Sequence, residues 1–244
     1  MRIALVPVIQ ACLNGSRGRE DHPAVPMLLD ELVLSARACA DAGAVSLHVH
    51  PRGPDGRETL DPAQVDTAVG ALRSATRLPV GVTTGGWIEP DPGKRRELVA
   101  TWTMPDFASV NLYEPGATDV MWALMERGIG VEAGLETEFD VERLAGSGLA
   151  HRVLRVLVEV VDSDPEAAAG HAMTIDAALD DVGITAPRLH HGTGPATWRV
   201  VEQGIRRGRE VRVGFEDVLT LPDGARAPSN AALVTAAMEL RKAA

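Results

Sequence analysis

At 244 residues, with 45% apolar and 24% charged positions, the chain is long enough for one large core and too apolar to be disordered. Aromatic residues make up only 3%, so a core of Val, Leu and Ala is expected, as in a buried parallel sheet covered by Ala-rich helices. A net charge of -10, with neither a basic stripe nor stacking aromatics, excludes a nucleic-acid footprint.

Short apolar runs predict strands at Ile3 to Ala11, Val45 to His50, Pro79 to Thr83, Ala108 to Asn111, Gly128 to Glu132, Leu154 to Val161, Arg188 to His191 and Val211 to Phe215. Helices are expected to start near Met27, Asp61, Pro92, Ala117, Phe139, Asp164, Pro195 and Pro228. Asp61-Pro62 and Asp164-Pro165 are strong start signals, the Asp capping and the Pro occupying an early helical position. Strict alternation over this length predicts a TIM (β/α)8 barrel, one domain over residues 1–244, ahead of an open doubly wound sheet. A Rossmann sheet would want G-x-G-x-x-G after the first strand; the chain has Leu13-Asn14-Gly15-Ser16-Arg17-Gly18-Arg19 there. The polar stretch Asn14 to Pro23 reads as a long active-site loop.

No stretch approaches the about 18 consecutive apolar residues of a membrane span. Cys12 and Cys39 form no CxxC pair, and the N-terminal run lacks a signal-peptide layout, so a reduced, cytoplasmic compartment is expected.

The chemistry centres on Ser46-Leu47-His48-Val49-His50-Pro51-Arg52. His48 and His50 share one face of a strand and sit at its C-terminal tip, where parallel α/β folds keep their sites. They read either as a chelating pair for a divalent ion or as two hydrogen-bonded strand-end histidines. Closing the barrel brings strand eight beside strand one. If alternation holds, Arg212, Gly214 and Glu216 point the same way and Asp217 turns at the strand end. Glu216 would then complete a His2Glu metal site with an open position, the usual catalytic zinc arrangement. The plainer reading of Arg212 with Glu216 or Asp217 is a rim ion pair. Thr83-Thr84-Gly85-Gly86 would expose backbone N–H groups and hydroxyls after strand three, a seat for a substrate carboxylate.

Taken together, Pro23-Ala24-Val25-Pro26, Ala42-Gly43-Ala44, Leu47-His48-Val49-His50-Pro51-Arg52 with Asp55-Gly56, Thr83-Thr84-Gly85-Gly86, and Val211 to Asp217 with Ser229-Asn230 resemble the β-keto acid cleavage enzymes over most of the chain. The resemblance implies a TIM barrel with zinc held by His48, His50 and Glu216. It implies a retro-Claisen cleavage in which a β-keto acid and acetyl-CoA give acetoacetate and a new acyl-CoA. It also implies that Arg212 and Asp217 act together in proton transfer, that Thr83 contacts the substrate carboxylate, and that the protein is a homo-oligomer. Zinc supplies a Lewis acid for charge developing on oxygen, and Arg212 keeps Asp217 ionised as base or orienter.

The first loop departs from the amino-substrate member, whose glutamate there is associated with the substrate amino group. Here Gly15-Ser16-Arg17-Gly18-Arg19-Glu20 carries arginine, which favours an acidic or neutral substrate side chain. The chain is also shorter than that family's pattern, chiefly between strands four and seven, where coenzyme A contacts would be altered.

His190-His191-Gly192-Thr193-Gly194-Pro195 could seat coenzyme A phosphates or a substrate tail, or be a satisfied histidine pair. Asn111, Glu114 and Glu132 are expected at or near the ends of strands four and five as pocket or rim residues, Asn111 among those meeting substrate. His22, His151 and His171 are expected on the surface, and Trp87, Trp102, Trp122 and Trp198 in packing. The rival enzymatic reading is a metal-dependent hydrolase on the same barrel, which would place H-x-H on the first strand. A barrel that binds metal and a small acid without turnover is the non-enzymatic rival.

Overall fold

Alternating buried strands and amphipathic helices close on themselves in the computed structural model, which describes residues 8–244. The strands are β1 (Ile9–Cys12), β2 (Ser46–Val49), β3 (Val80–Thr83), β4 (Phe107–Asn111), β5 (Gly130–Leu135), β6 (Arg155–Val160), β7 (Arg188–Gly192) and β8 (Glu210–Val213). The helices are α1 (Leu29–Asp41), α2 (Pro62–Thr76), α3 (Pro92–Val99), α4 (Ala117–Glu126), α5 (Glu138–Gly146), α6 (Pro165–Asp181), α7 (Thr197–Arg206) and α8 (Asn230–Ala243). The strands pair in parallel in chain order and β8 returns to β1, giving the closed eight-stranded TIM barrel that the sequence predicts. The expected first strand falls partly on Ile3 to Pro7, outside the described residues.

Local chemistry explains the helix starts. Asp61 accepts from Ala63 N and Gln64 N ahead of Pro62, Asp164 accepts from Glu166 N ahead of Pro165, and Ser229 accepts from Ala232 N. Ahead of α1 no side chain caps the helix from Leu28; Glu31 instead reaches back to Met27 N and Leu28 N at 2.9 and 3.1 Å. Between barrel and helices lies a continuous apolar layer, with Leu47, Val49, Val80, Val82, Val131, Val156 and Val158 buried against helix residues such as Leu32, Val69 and Ile175. Burying each Val or Leu contributes about 1.5–3 kcal/mol.

Inside the barrel the floor is polar. Gln10 on β1 donates from Nε2 to Glu132 Oε1 on β5 at 2.8 Å, a bond between strands on opposite sides of the lumen. Arg155 reaches the same carboxylate from Nε at 2.7 Å and Glu210 from Nη1 at 2.5 Å. Glu132 is therefore an interior residue and not a rim one. The expected strand stopped at Glu132, whereas β5 runs on to Leu135, which leaves Glu132 in mid-strand. Among the described residues no helix is long and apolar enough to cross a membrane.

Candidate active site

His48 is the third residue of β2, and its ring is held over the lumen by the strand's own ladder, with Cys12 of β1 beside it in register. His50 lies past the strand end, where no ladder fixes it. Asn14 replaces the ladder: its Nδ2 donates to His50 O at 2.9 Å, and His50 N donates to Asn14 Oδ1 at 3.0 Å. Both imidazoles are buried, His48 1% and His50 3% exposed.

Glu216 arrives differently from its expected place on an extended strand. β8 ends at Val213, and Gly214 to Asp217 form a turn in which Asp217 N donates to Gly214 O at 2.9 Å. Two devices place this turn. Gly214 lies directly on the Cys12 backbone, where any Cβ would collide with the Cys12 carbonyl oxygen. Asn230, at the start of α8, accepts from Phe215 N at 2.7 Å and donates to Leu13 O at 2.8 Å, bolting the turn to the end of β1.

The result is a cluster. Glu216 Oε2 lies 3.7 Å from His48 Nε2, Glu216 Oε1 lies 3.5 Å from His50 Nε2, and one ligand atom from each residue falls within 4.8 Å of the others. Behind it, Arg212 donates from Nη2 to Glu216 Oε1 at 2.7 Å and to Asp217 Oδ1 at 2.8 Å, and from Nε to Asp217 Oδ2 at 3.2 Å. Two imidazole nitrogens and one carboxylate form a donor set suited to zinc. Glu216 Oε2 is buried without a hydrogen-bond partner, the condition of an oxygen built to face a cation.

The charges are uneven. Burial pushes His48 down to about 4 despite Glu216, whereas at His50 burial is outweighed by Glu216 and Glu58, which raise it to about 9. Burial would raise both carboxylates, but Arg212 overrides it, with His50 and His48 added at Glu216 and His191 at Asp217, and holds each below its usual range.

The rim turn Thr83-Thr84-Gly85-Gly86 lies beside this cluster, and the N–H groups of both its glycines are engaged. Gly85 N donates to Thr83 Oγ1 at 3.1 Å and Gly86 N to Glu114 Oε2 at 2.9 Å. The reason is Arg95, buried with Nη1 2.9 Å from Glu114 Oε2, which parks that carboxylate on the turn. Thr84 Oγ1 donates to Ser109 O at 2.7 Å, whereas the Thr83 hydroxyl, which accepts from Gly85 N, keeps a hydrogen to give. Asn111 Nδ2 donates to Glu114 Oε1 and to the Tyr113 hydroxyl, each at 3.2 Å.

Other residues depart from expectation. His22 is buried at 4% exposure, its ring 4.5 Å from that of Phe215, and not on the surface; burial and Arg226 lower its pKa. Trp87 is half-exposed at the rim, its ring 6.1 Å from the His50 ring and inclined by 25°. Glu58, which the sequence reading passed over, lies 2.5 Å from His50 Nδ1. Its only signal was an acid eight residues beyond His50 across a Gly-rich turn. His190 Nε2 lies 3.1 Å from Asp176 Oδ1, and His191 is fully buried between Asp217 at 3.5 Å and Glu159 at 3.8 Å. In the backbone that follows, Thr193 N donates to Val160 O and Gly194 N to Asp217 O.

Fold and site together define a (β/α)8 barrel with a cluster of candidate catalytic groups at its C-terminal rim, a histidine pair and a carboxylate backed by an arginine–aspartate pair. The chain belongs to the β-keto acid cleavage enzyme family, whose model matches residues 7–138 and 140–244. It is 27% identical over 252 residues to the 3-oxoadipate:acetyl-CoA acetyltransferase of Cupriavidus necator, covering 93% of this chain and 86% of the relative. It is 26% identical over 257 residues to the 3-keto-5-aminohexanoate cleavage enzyme of Fusobacterium nucleatum, covering 96% and 91%. Among solved structures, the ternary complex of ObcA with a C4-CoA adduct and oxalate matches with a TM-score of 0.73 at 16% identity over 89% of this chain. The chain spans 63% of that longer protein, less than two thirds, and the likeness speaks for the fold alone.

Proposed function

We propose that this enzyme cleaves a β-keto acid with acetyl-CoA as co-substrate and zinc as its resident metal. The acetyl group joins the carboxylate-bearing two-carbon fragment to give acetoacetate, and the remaining acyl group leaves on coenzyme A. Family membership and the names of the two relatives support the reaction class. The observation that carries the site assignment is the Glu216 carboxylate set between two buried imidazoles, its unpartnered Oε2 towards His48 and its Oε1 towards His50, with Arg212 and Asp217 directly behind.

His48, His50 and Glu216 would hold the metal, which when bound supplies a Lewis acid for negative charge developing on the substrate oxygen. Arg212 keeps Asp217 in its basic form, and Asp217 takes the proton from the carbon between ketone and carboxylate. Burial of that pair, 3% and 0% exposed, keeps bulk water from it. The Thr83 hydroxyl holds the substrate carboxylate, with Thr84, Gly85, Gly86 and Asn111 shaping the wall beside it. Arg17, anchored through Nε to Glu216 O at 3.2 Å, brings positive charge to the mouth and favours a substrate with an acidic or neutral tail. 3-Oxoadipate, named for the Cupriavidus relative, is such a keto diacid.

The enzyme works as a cytoplasmic homo-oligomer. Two buried free cysteines support the compartment, and Leu28, Leu29 and Leu34, 59%, 40% and 65% exposed around α1, offer apolar surface for a second copy.

Zinc-loaded protein incubated with a panel of β-keto acids and acetyl-CoA should yield acetoacetate and a new thioester. His48→Ala should bind no zinc and form neither product. Product formed without coenzyme A would instead indicate a metal-dependent hydrolase or decarboxylase, and tight zinc binding with no product a non-catalytic acid-binding barrel.

A further inference from the structure

The two imidazoles of the cluster are supported in different ways. His48 Nδ1 is buried with no hydrogen-bond partner, and its position comes from the β2 ladder. His50 stands beyond the ladder, and its ring is gripped from the side by Glu58, whose Oε1 lies 2.5 Å from His50 Nδ1.

Glu58 is itself rigidly mounted. It pairs with Arg52 in an antiparallel bridge, closed by Gly53 N to Arg57 O at 2.8 Å and Thr59 N to Pro51 O at 3.0 Å. Trp87, from the loop after β3, donates its indole N–H to the same carboxylate at 3.2–3.3 Å and lies at a shallow angle to the His50 ring. That placement needs Gly85, because a Cβ there would run into the Trp87 ring. A tryptophan 51% exposed to solvent is thus pinned by its one polar atom.

We propose that Glu58 is a positioning residue for the metal, fixing the His50 ring and its tautomer through Nδ1 so that Nε2 faces Glu216, and that Trp87 locks Glu58 in that pose. A carboxylate only accepts, so the proton of a neutral His50 sits on Nδ1 and the Nε2 lone pair is left for a cation. Nδ1 and Nε2 lie on opposite edges of the ring, which places Glu58 away from the ion and makes it a support and not a ligand. Carboxylates behind ligating histidines raise the ring's basicity and set its orientation, and losing one typically lowers metal affinity 10- to 100-fold.

The inference rests on the metal reading of His48, His50 and Glu216, and the experiment separates the two. Chelator-stripped protein is titrated with zinc against a chromophoric chelator, and with cobalt(II) while its visible spectrum is recorded. Glu58→Ala should bind zinc about 10- to 100-fold more weakly and give an altered cobalt spectrum. Glu58→Gln, whose amide oxygen still accepts from Nδ1, should recover much of both, and Trp87→Phe should show a smaller loss in the same direction. Wild-type zinc affinity together with an unchanged cobalt spectrum in Glu58→Ala would overturn the positioning role while leaving the metal site standing. A wild-type protein that takes up neither ion would take down both. Should Glu58→Ala fail to fold, Trp87→Phe carries the test, and wild-type zinc affinity with an unchanged cobalt spectrum in that variant would refute the positioning role.

Discussion

Gly15 and Glu216, far apart in the chain, touch so closely that a Cβ on Gly15 would lie 2.5 Å from Glu216 Cγ. Gly15 also has φ of 57°, in the left-handed region. Gly15→Ala therefore combines roughly 1–2 kcal/mol of backbone strain with a push on the carboxylate arm. With every ligand intact, it should weaken zinc binding by about tenfold or more, the scale seen when a ligand's support is lost. Zinc competition titration measures this, and wild-type affinity would show that Glu216 has room to retreat.

Asp217→Asn keeps the size of the side chain and removes the proposed base. Since His48, His50 and Glu216 remain, zinc content should be unchanged while turnover falls about 10²- to 10⁴-fold. Single-turnover kinetics on metal-quantified protein distinguishes this from lost metal. Unchanged turnover removes Asp217 from the chemistry.

Metal-free protein should show a pH signature of opposite sign at the two histidines. The His50 pKa is raised to about 9, so its contribution to stability is full below 6.5 and disappears as pH climbs through 9. The His48 pKa is lowered to about 4, so its folded form prefers to be neutral, and stability is lost as pH falls from 6.5 towards 4. Thermal melts of chelated wild type and His50→Gln should differ most below pH 6.5 and converge towards 9; a gap that widens on the alkaline side contradicts the assignment.

The barrel floor predicts a stability effect with no active-site component. Arg155→Met strands the fully buried Glu132 carboxylate, which should cost about 3–5 kcal/mol by urea denaturation. Adding Glu132→Met should restore much of the loss, because the uncompensated charge goes with it. A single variant as stable as wild type would mean that Gln10 and water suffice.

The order and number of strands were readable from the apolar runs because the strands are short, largely buried and each followed by a helix, several of them with a capping Asp or Ser at the start. His48, His50 and Glu216 were readable as a group because barrel closure alone brings the eighth strand next to the first. The Gly214–Asp217 turn was not, since the period-two pattern of Val211 to Phe215 continues through it; what bends the chain is Asn230, a partner from the next helix. Likewise, nothing in Thr83-Thr84-Gly85-Gly86 announces that Glu114, held by Arg95, takes the Gly86 N–H, and nothing in Trp87 announces Glu58. Glu132 misled because a charged residue in an apolar run looks like a strand end until its partner Arg155 is in view.

Because β1 stands between β2 and β8, with Gln10 in register with both Ser46 and Arg212, the histidines and their acid are joined only across the seam that closes the barrel. A nascent chain emerging from the ribosome carries both imidazoles through most of its synthesis without the carboxylate that completes the grip. On the zinc assignment proposed above, the full set of three ligands exists only once β8 has closed on β1.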